Sequence, residues 1–282
     1  MKYGISIFPT DYSATPVEIA RATEERGFES LWLPEHSHIP VHRTSKWPGG
    51  DTIPKMYHDV LDPFVGLAAA AAVTDRLLLA TGICLVVQRD PIQTAKDVSS
   101  LDVVSKGRFL FGVGGGWNAE EIENHGTAFT GRFRVMRERI EAMKEIWSKD
   151  QAEYHGDHVD FGPIYAWPKP VQRPHPPIHV GGAFPGAARR AIRYGDGWFP
   201  ILGRDPEPME RIIPKFRAMA KEAGRDPKSL EISLFAPPQE EKELAALRDL
   251  GLDRAVFLVP PEPLEKLLPV LDERRALMEA VG

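Results

Sequence analysis

Residues 77–126 read LLLATGICLVVQRDPIQTAKDVSSLDVVSKGRFLFGVGGGWNAEEIENHG, and the fold is decided there. Leu77–Ala80 is apolar at every position, the pattern of a strand buried on both faces. Asp90 and Pro91 open a helix in which Ile92, Ala95, Val98, Leu101 and Val104 recur at helical spacing. Gly107 closes that helix, and Arg108–Val113 is the next strand. Gly114, Gly115 and Gly116 then lead through Trp117 into another helix. Strand, helix and strand of this length make a right-handed parallel unit. Function in such units sits on the loops at the carboxyl ends of the strands.

The same rhythm extends both ways. Lys2–Phe8 reads as strand one, and Thr15, Pro16 and Glu18 start a helix that Gly27 ends. Phe28–Leu33 is strand two. It is followed by a long segment, Pro34 to Asp62, rich in Pro, Gly and His, of the kind that forms lids and binding loops. Asp62-Pro63 starts the helix FVGLAAAAAV, whose small residues suit close packing, including against another subunit. After strand four come a short helix, Asn118–Glu123, and a longer one, Arg132–Trp147. Residues 151–176 then interrupt the pattern as an irregular insertion, with a small hairpin turned at His155-Gly156-Asp157. Strands five to eight are expected at Pro177–Val180, Trp198–Ile201, Leu230–Phe235 and Ala255–Val259, with helices at Gly186–Tyr194, Met209–Ala223, Glu240–Leu250 and Leu264–Met278. Eight such strands predict an α/β (β/α)8 TIM barrel, with a long loop after strand two and an insertion after strand four. Neither a repeat nor a linker divides the sequence, so residues 1–282 are expected to form a single domain.

Composition narrows the function. Hydrophobic residues make up 43% of the 282, enough for a packed core. The net charge of −5 is spread along the chain, and without a basic stripe nucleic acid is not an expected partner. The one cysteine, Cys84, excludes an internal disulfide and a CxxC metal framework. The start, MKYGISIF, shows no signal-peptide pattern, and Phe64–Val73 and Leu77–Val87 are too short to span a bilayer. A cytoplasmic protein with no membrane partner is the expectation.

Three places suggest chemistry. Gly112–Trp117 does not fit a dinucleotide fingerprint, because the third glycine of GxGxxG would fall on Trp117. Without β-carbons, Gly114, Gly115 and Gly116 let a flat ring or a phosphate chain approach the backbone; a tight turn needing positive φ is the competing reading. Gly181, Gly182 and Phe184 link strand five to a helix start, where free N–H groups favour a cofactor phosphate; a glycine turn that merely opens the helix is the competing reading. Arg189, Arg190 and Arg193 on that helix read mostly as solvated surface charges, with one able to reach such a phosphate. Glu35 and His36 lie at the carboxyl end of strand two, where a histidine can bind a substrate carbonyl or move a proton; a loop histidine making only structural hydrogen bonds is the competing reading. His38, His42 and His58 read as solvated loop residues, and Glu120 and Glu121 as helix-start carboxylates that complement the dipole.

The stretch from Thr81 to Gly126, together with GISIF, PPIHVGG and GDGWFP elsewhere, resembles the luciferase-like flavin and deazaflavin oxidoreductases, the luciferase-like monooxygenase superfamily. That resemblance implies a TIM barrel binding coenzyme F420 or FMN. Glu35-His36 and the Gly114–Trp117 turn resemble the F420-dependent group more than luciferase. It further implies that Thr81, Gly82 and Ile83 meet the cofactor through a bulge. In the family that bulge holds a non-prolyl cis peptide behind the ring, and the matching bond is Gly82–Ile83. Glu35 and the three-glycine turn would be further contacts, and His36 would be catalytic. Trp117 stands where some sugar-oxidising relatives carry a catalytic glutamate, which argues against a sugar-phosphate dehydrogenase; an indole there would wall the ring pocket. Relatives commonly pair, so a homodimer is expected.

The leading reading is hydride transfer between F420 and a small-molecule substrate beneath a lid containing Trp47 and Tyr57. The alternatives are an FMN-dependent monooxygenase supplied by a separate reductase, and a non-catalytic flavin-binding protein. A metal-dependent barrel hydrolase, suggested by His36-x-His38, lacks a second ligand cluster, so no metal is expected.

Overall fold

The computed structural model describes residues 1–282. In chain order its first half contains β1 (Lys2–Ser6), α1 (Pro16–Glu25), β2 (Ser30–Leu33), α2 (Met56–Asp59), α3 (Pro63–Ala71), β3 (Leu78–Thr81), α4 (Pro91–Val104), β4 (Phe109–Val113) and α5 (Ala119–Asn124). Then follow α6 (Arg132–Ser148), β5 (Gln151–His155), β6 (Asp160–Tyr165), β7 (Ile178–Gly181), α7 (Gly186–Tyr194) and β8 (Gly197–Phe199). The chain ends with α8 (Met209–Glu222), β9 (Glu231–Phe235), α9 (Glu241–Asp249), β10 (Arg254–Leu258) and α10 (Leu264–Val281). Eight strands close in the order β1-β10-β9-β8-β7-β4-β3-β2, every neighbouring pair parallel. This is the (β/α)8 TIM barrel that the sequence predicts.

The insertion after the fourth barrel strand is also present, as the antiparallel hairpin β5–β6 outside the barrel. Its turn is fastened to α6 by Glu138, whose Oε2 accepts the N–H groups of His158 at 2.6 Å and Val159 at 3.3 Å. The long loop after β2 contains one short helix, α2, that sequence pattern did not indicate.

Helix starts follow the local chemistry. Thr15 and Glu18 form a reciprocal capping box ahead of α1. Asp62 caps α3 by accepting from Phe64 N–H at 2.9 Å and Val65 N–H at 3.1 Å. Asp90 caps α4 through Gln93 N–H at 2.8 Å. Proline occupies the first turn in all three, where its missing N–H costs nothing. Around the outside of the barrel, Arg108 ties β4 to the end of α3 by donating to the carbonyls of Ala71, Thr74 and Leu77 at 2.8–3.0 Å.

Inside the barrel, Trp32 stacks on Phe199 at 4.6 Å and packs with Ala80, Leu110 and Val256. Beneath them, at the amino ends of the strands, the barrel is plugged by charge. Arg254, 1% exposed, donates to both carboxylate oxygens of Glu29 at 2.7 and 2.8 Å, to Glu231 at 2.9 Å and to Ser233 at 2.8 Å. Burial, with the Arg254 charge beside it, pushes the His179 imidazole down to about 3. Burial would raise the Glu231 carboxyl, but Arg254 and Lys2 outweigh it and bring it to about 2. One end of the barrel is thus closed by a packed, paired cluster, which leaves the other end for a site.

That other end depends on a close approach between β3 and β4. A β-carbon on Gly112 would lie 1.9 Å from the Thr81 carbonyl oxygen, which accepts no such neighbour. Gly112→Ala is therefore expected to destabilise the protein by about 2 kcal/mol or more through overpacking. Gly162→Ala, on the open hairpin with nothing within 4 Å of the added carbon, is the control. Thermal unfolding of the two variants checks this; equal melting temperatures would contradict it.

Candidate active site

A cavity of about 520 Å³ opens at the carboxyl ends of the strands. Its walls come from the segments that follow β2, β3, β4, β7 and β8, and from Phe235 at the end of β9. Of the residues expected to form a site, Glu35, His36, Gly82, Ile83, Gly114, Gly115, Gly116, Trp117, Gly181, Gly182 and Phe184 all line it. Thr81 does not. Its side chain is fully buried, and its hydroxyl donates to the Gly112 carbonyl at 2.7 Å, holding β3 to β4.

The floor is the bulge after β3. The Gly82–Ile83 peptide is cis, in the place the family resemblance implied. Cys84 N–H donates to Gly112 O at 2.8 Å and Gly114 N–H to Cys84 O at 3.0 Å, so the bulge is stitched to β4. Ile83 stands between two glycines: a β-carbon on Gly114 would come within 2.6 Å of its side chain, and one on Gly181 within 2.9 Å. Gly115 is required by a different neighbour, the Phe133 ring, 2.7 Å from the position of its missing β-carbon. Only Gly116 has positive φ, +65°. Within the glycine run, Gly116 makes the turn of the competing reading, while Gly114 and Gly115 give room to side chains of the chain itself, which neither reading anticipated.

The wall after β2 is held by charge. Glu35, 8% exposed, accepts from Leu85 N–H at 2.6 Å and from Arg89 Nε at 2.5 Å, and Arg89 also pairs with Asp62 at 2.6 Å. The carboxylate is thus committed to fixing the bulge and the two ends of the long loop. His36 Nδ1 lies 2.7 Å from Glu121 Oε2, and the imidazole packs near the Tyr57 and Trp117 rings at 5.2 and 5.8 Å. Tyr57 lines the cavity, and burial raises its phenol above the ordinary value. Trp47 packs edge-on against Tyr57 at 5.6 Å but does not reach the cavity. His38 is turned toward Ser37 and Asn124, and neither it, His42 nor His58 lines the cavity.

The wall after β7 carries the unpaired charge. Arg190 projects from the first turns of α7 and lies over the Phe133 ring at 3.8 Å, with Arg132 over the same ring at 4.2 Å. Neither guanidinium has a carboxylate partner, and the Nε of each is buried without a hydrogen bond. Burial lowers both groups below the usual arginine range. Phe184 N–H donates to Asp205 Oδ1 at 2.9 Å, Gly182 N–H to Phe199 O at 3.2 Å and Ala187 N–H to Ala183 O at 2.9 Å, so most of the amides of this turn are bonded within the chain, and Gly182, Ala183 and Gly186 line the cavity beside Arg190. No three His, Cys, Asp or Glu side chains converge as ligands for a metal ion, and no helix is long and apolar enough to cross a membrane.

Sequence reasoning passed over Phe133, Arg204 and Glu121. Phe133 falls on the apolar face of α6 and reads as core. Arg204 lies in a polar loop after β8, where only its position at a strand's carboxyl end is a signal. Glu120 and Glu121 do open α5, but both reach across to the long loop. Glu120 accepts from Thr44 Oγ1 at 2.8 Å and Ser45 N–H at 3.2 Å; burial would raise its carboxyl, and the bonds from Ser45 and Thr44 bring it down to about 2.

The family model described as luciferase-like monooxygenase matches residues 6–261. An uncharacterized protein of Mycobacterium tuberculosis (strain ATCC 25618 / H37Rv) is 40% identical over 268 residues, 92% of each chain. The F420-dependent hydroxymycolic acid dehydrogenase of the same organism is 29% identical over 253 residues, 87% of this chain and 65% of that one. Among solved structures, monooxygenase RslO1 from Streptomyces bottropensis shares the fold, with a TM-score of 0.78 at 23% identity over 99% of both chains. The chain belongs to the luciferase-like monooxygenase family and is an oxidoreductase.

Arg89→Met would leave Glu35 buried without its cation. Loss of one partner from such a pair is expected to cost about 3 kcal/mol. Denaturant unfolding measures it, and a loss below about 1 kcal/mol, the range of a surface pair, would show that the pair does not hold this wall.

Proposed function

We propose that this luciferase-like oxidoreductase binds coenzyme F420 in the barrel-end cavity and transfers hydride between the deazaflavin ring and a small organic substrate. One observation carries the reading. A cavity of small-molecule size has an unpaired arginine beside a helix start on its β7 side, a histidine on its β2 side, and Ile83 raised between them. The buried, unpartnered Nε of Arg190, close to the start of α7, fits a phosphate. Ile83, Phe199 and Phe235 offer apolar surface to a flat ring.

When bound, the deazaflavin supplies a ring carbon that gives or accepts hydride. The residues of the chain do the rest. Ile83 would support one face of the ring, and Arg190 with the start of α7 would hold the phosphate. Tyr57 and Trp117 shield the reacting end from water, and His36 binds the substrate oxygen or moves its proton. The F420-dependent relative at 29% identity supports the deazaflavin. The likeness to a monooxygenase keeps FMN as the second reading, with a separate reductase supplying the reduced ring.

Titration of the purified protein with F420 and, separately, with FMN, read by quenching of each ring's fluorescence, decides between them. F420 is expected to bind and FMN to bind far more weakly. Arg190→Ala is expected to weaken F420 by about tenfold or more, the worth of a charge-assisted hydrogen bond. Binding of FMN alone would move the function to oxygen chemistry, and binding of neither would overturn the reading.

A further inference from the structure

We propose that Glu121 is a positioning residue that fixes the His36 imidazole with its proton on Nδ1, leaving Nε2 as the free acceptor on the cavity side. This deepens, and rests on, the reading of His36 as the group that handles the proton accompanying hydride transfer. The two side chains are separated by 85 positions in sequence, yet Nδ1 and Oε2 are 2.7 Å apart, with only 7% and 1% of the side chains exposed.

A carboxylate can only accept, so the proton between them belongs to Nδ1. The other oxygen, Oε1, accepts from Ser37 N–H at 3.2 Å, which fixes the orientation of the carboxylate. Glu120, the residue before it, clamps Thr44 and Ser45 on the other side of the same loop, so α5 is held at two points. The remaining neighbours of the imidazole, Tyr57 and Trp117, pack against it as rings and set its plane. Nε2 has no partner in the protein, and His36 lines the cavity.

Two consequences follow from that geometry. The imidazole meets the substrate as a base at Nε2, and the positive charge it gains on taking a proton is stabilised by the carboxylate behind it. His36 also borders a second, polar cavity of about 410 Å³, shared with Ser37, Gln88, Arg89 and His125, so the residue lies between the active-site cavity and a polar space.

The test is a two-bond ¹H–¹⁵N correlation spectrum of the full chain with ¹⁵N-labelled histidine, recorded where the imidazole is neutral. His36→Gln identifies the His36 signals by their loss among the nine histidines. Wild type is expected to show a single tautomer, protonated at Nδ1. In Glu121→Gln the side-chain oxygen stays on Ser37 N–H, the amide NH₂ faces Nδ1, and the proton is expected to move to Nε2. Glu121→Ala, which leaves Nδ1 without a partner, is expected to mix the two tautomers. Either variant suffices if the other does not fold. A wild-type His36 protonated at Nε2, or a tautomer unchanged by both variants, would overturn the proposal. F420 titration of the same samples separates the two ideas. Failure to bind would remove the functional reading while the tautomer result stands.

Discussion

The cavity exists because β3 and β4 approach each other more closely than any residue but glycine allows at position 112. With the Thr81 carbonyl 1.9 Å from where a β-carbon would sit, the chain after β3 can turn inward over the barrel mouth. It is held there by the bonds that link Gly112 and Gly114 to Cys84. Ile83 is thereby lifted between Gly114 and Gly181, above the stacked Trp32 and Phe199 that fill the barrel below. Gly112, Gly114 and Gly181 thus supply backbone and side-chain clearance within the chain, and an apolar floor at Ile83 is the result.

Around that floor, charge is distributed unevenly. At the closed end of the barrel, Arg254 is matched by Glu29 and Glu231. At the open end, Glu35 is matched by Arg89, and His36 by Glu121. Arg190 is the exception: it borders the cavity, is partly buried and has no acid beside it. A half-desolvated cation flanked by a second one, Arg132, is costly unless an anion joins it. The pairings elsewhere thus leave Arg190 as a partly buried cation at the cavity without an acid to match it. They also explain why Glu35 is occupied structurally: it links the bulge, the long loop and Arg89, and it lines the cavity only with its remaining surface.

The fold was legible because its signals are local. Asp62-Pro63 and Asp90-Pro91 cap helices through bonds to residues two or three positions on, and fully apolar runs such as Leu77–Ala80 announce strands covered on both faces. The positions of the site were legible for the same reason, since the loops after parallel strands converge at one end. What the pattern did not reveal is which groups meet across that end. Glu121 carries the ordinary signature of a helix start, and only the closed barrel brings it against His36. Gly114 and Gly115 look like openings for a ligand in sequence; the neighbours that require them, Ile83 and Phe133, come from other segments. Thr81 sits one residue before the bulge and reads as part of it, but strand alternation turns its hydroxyl to Gly112 instead.

The most direct measurement is a crystal structure of the protein with F420 bound. The account predicts the deazaflavin ring lying on Ile83, its reacting edge toward His36, and its phosphate at Gly182 and Arg190. A ring bound outside the barrel mouth, or a phosphate held away from Arg190, would contradict it.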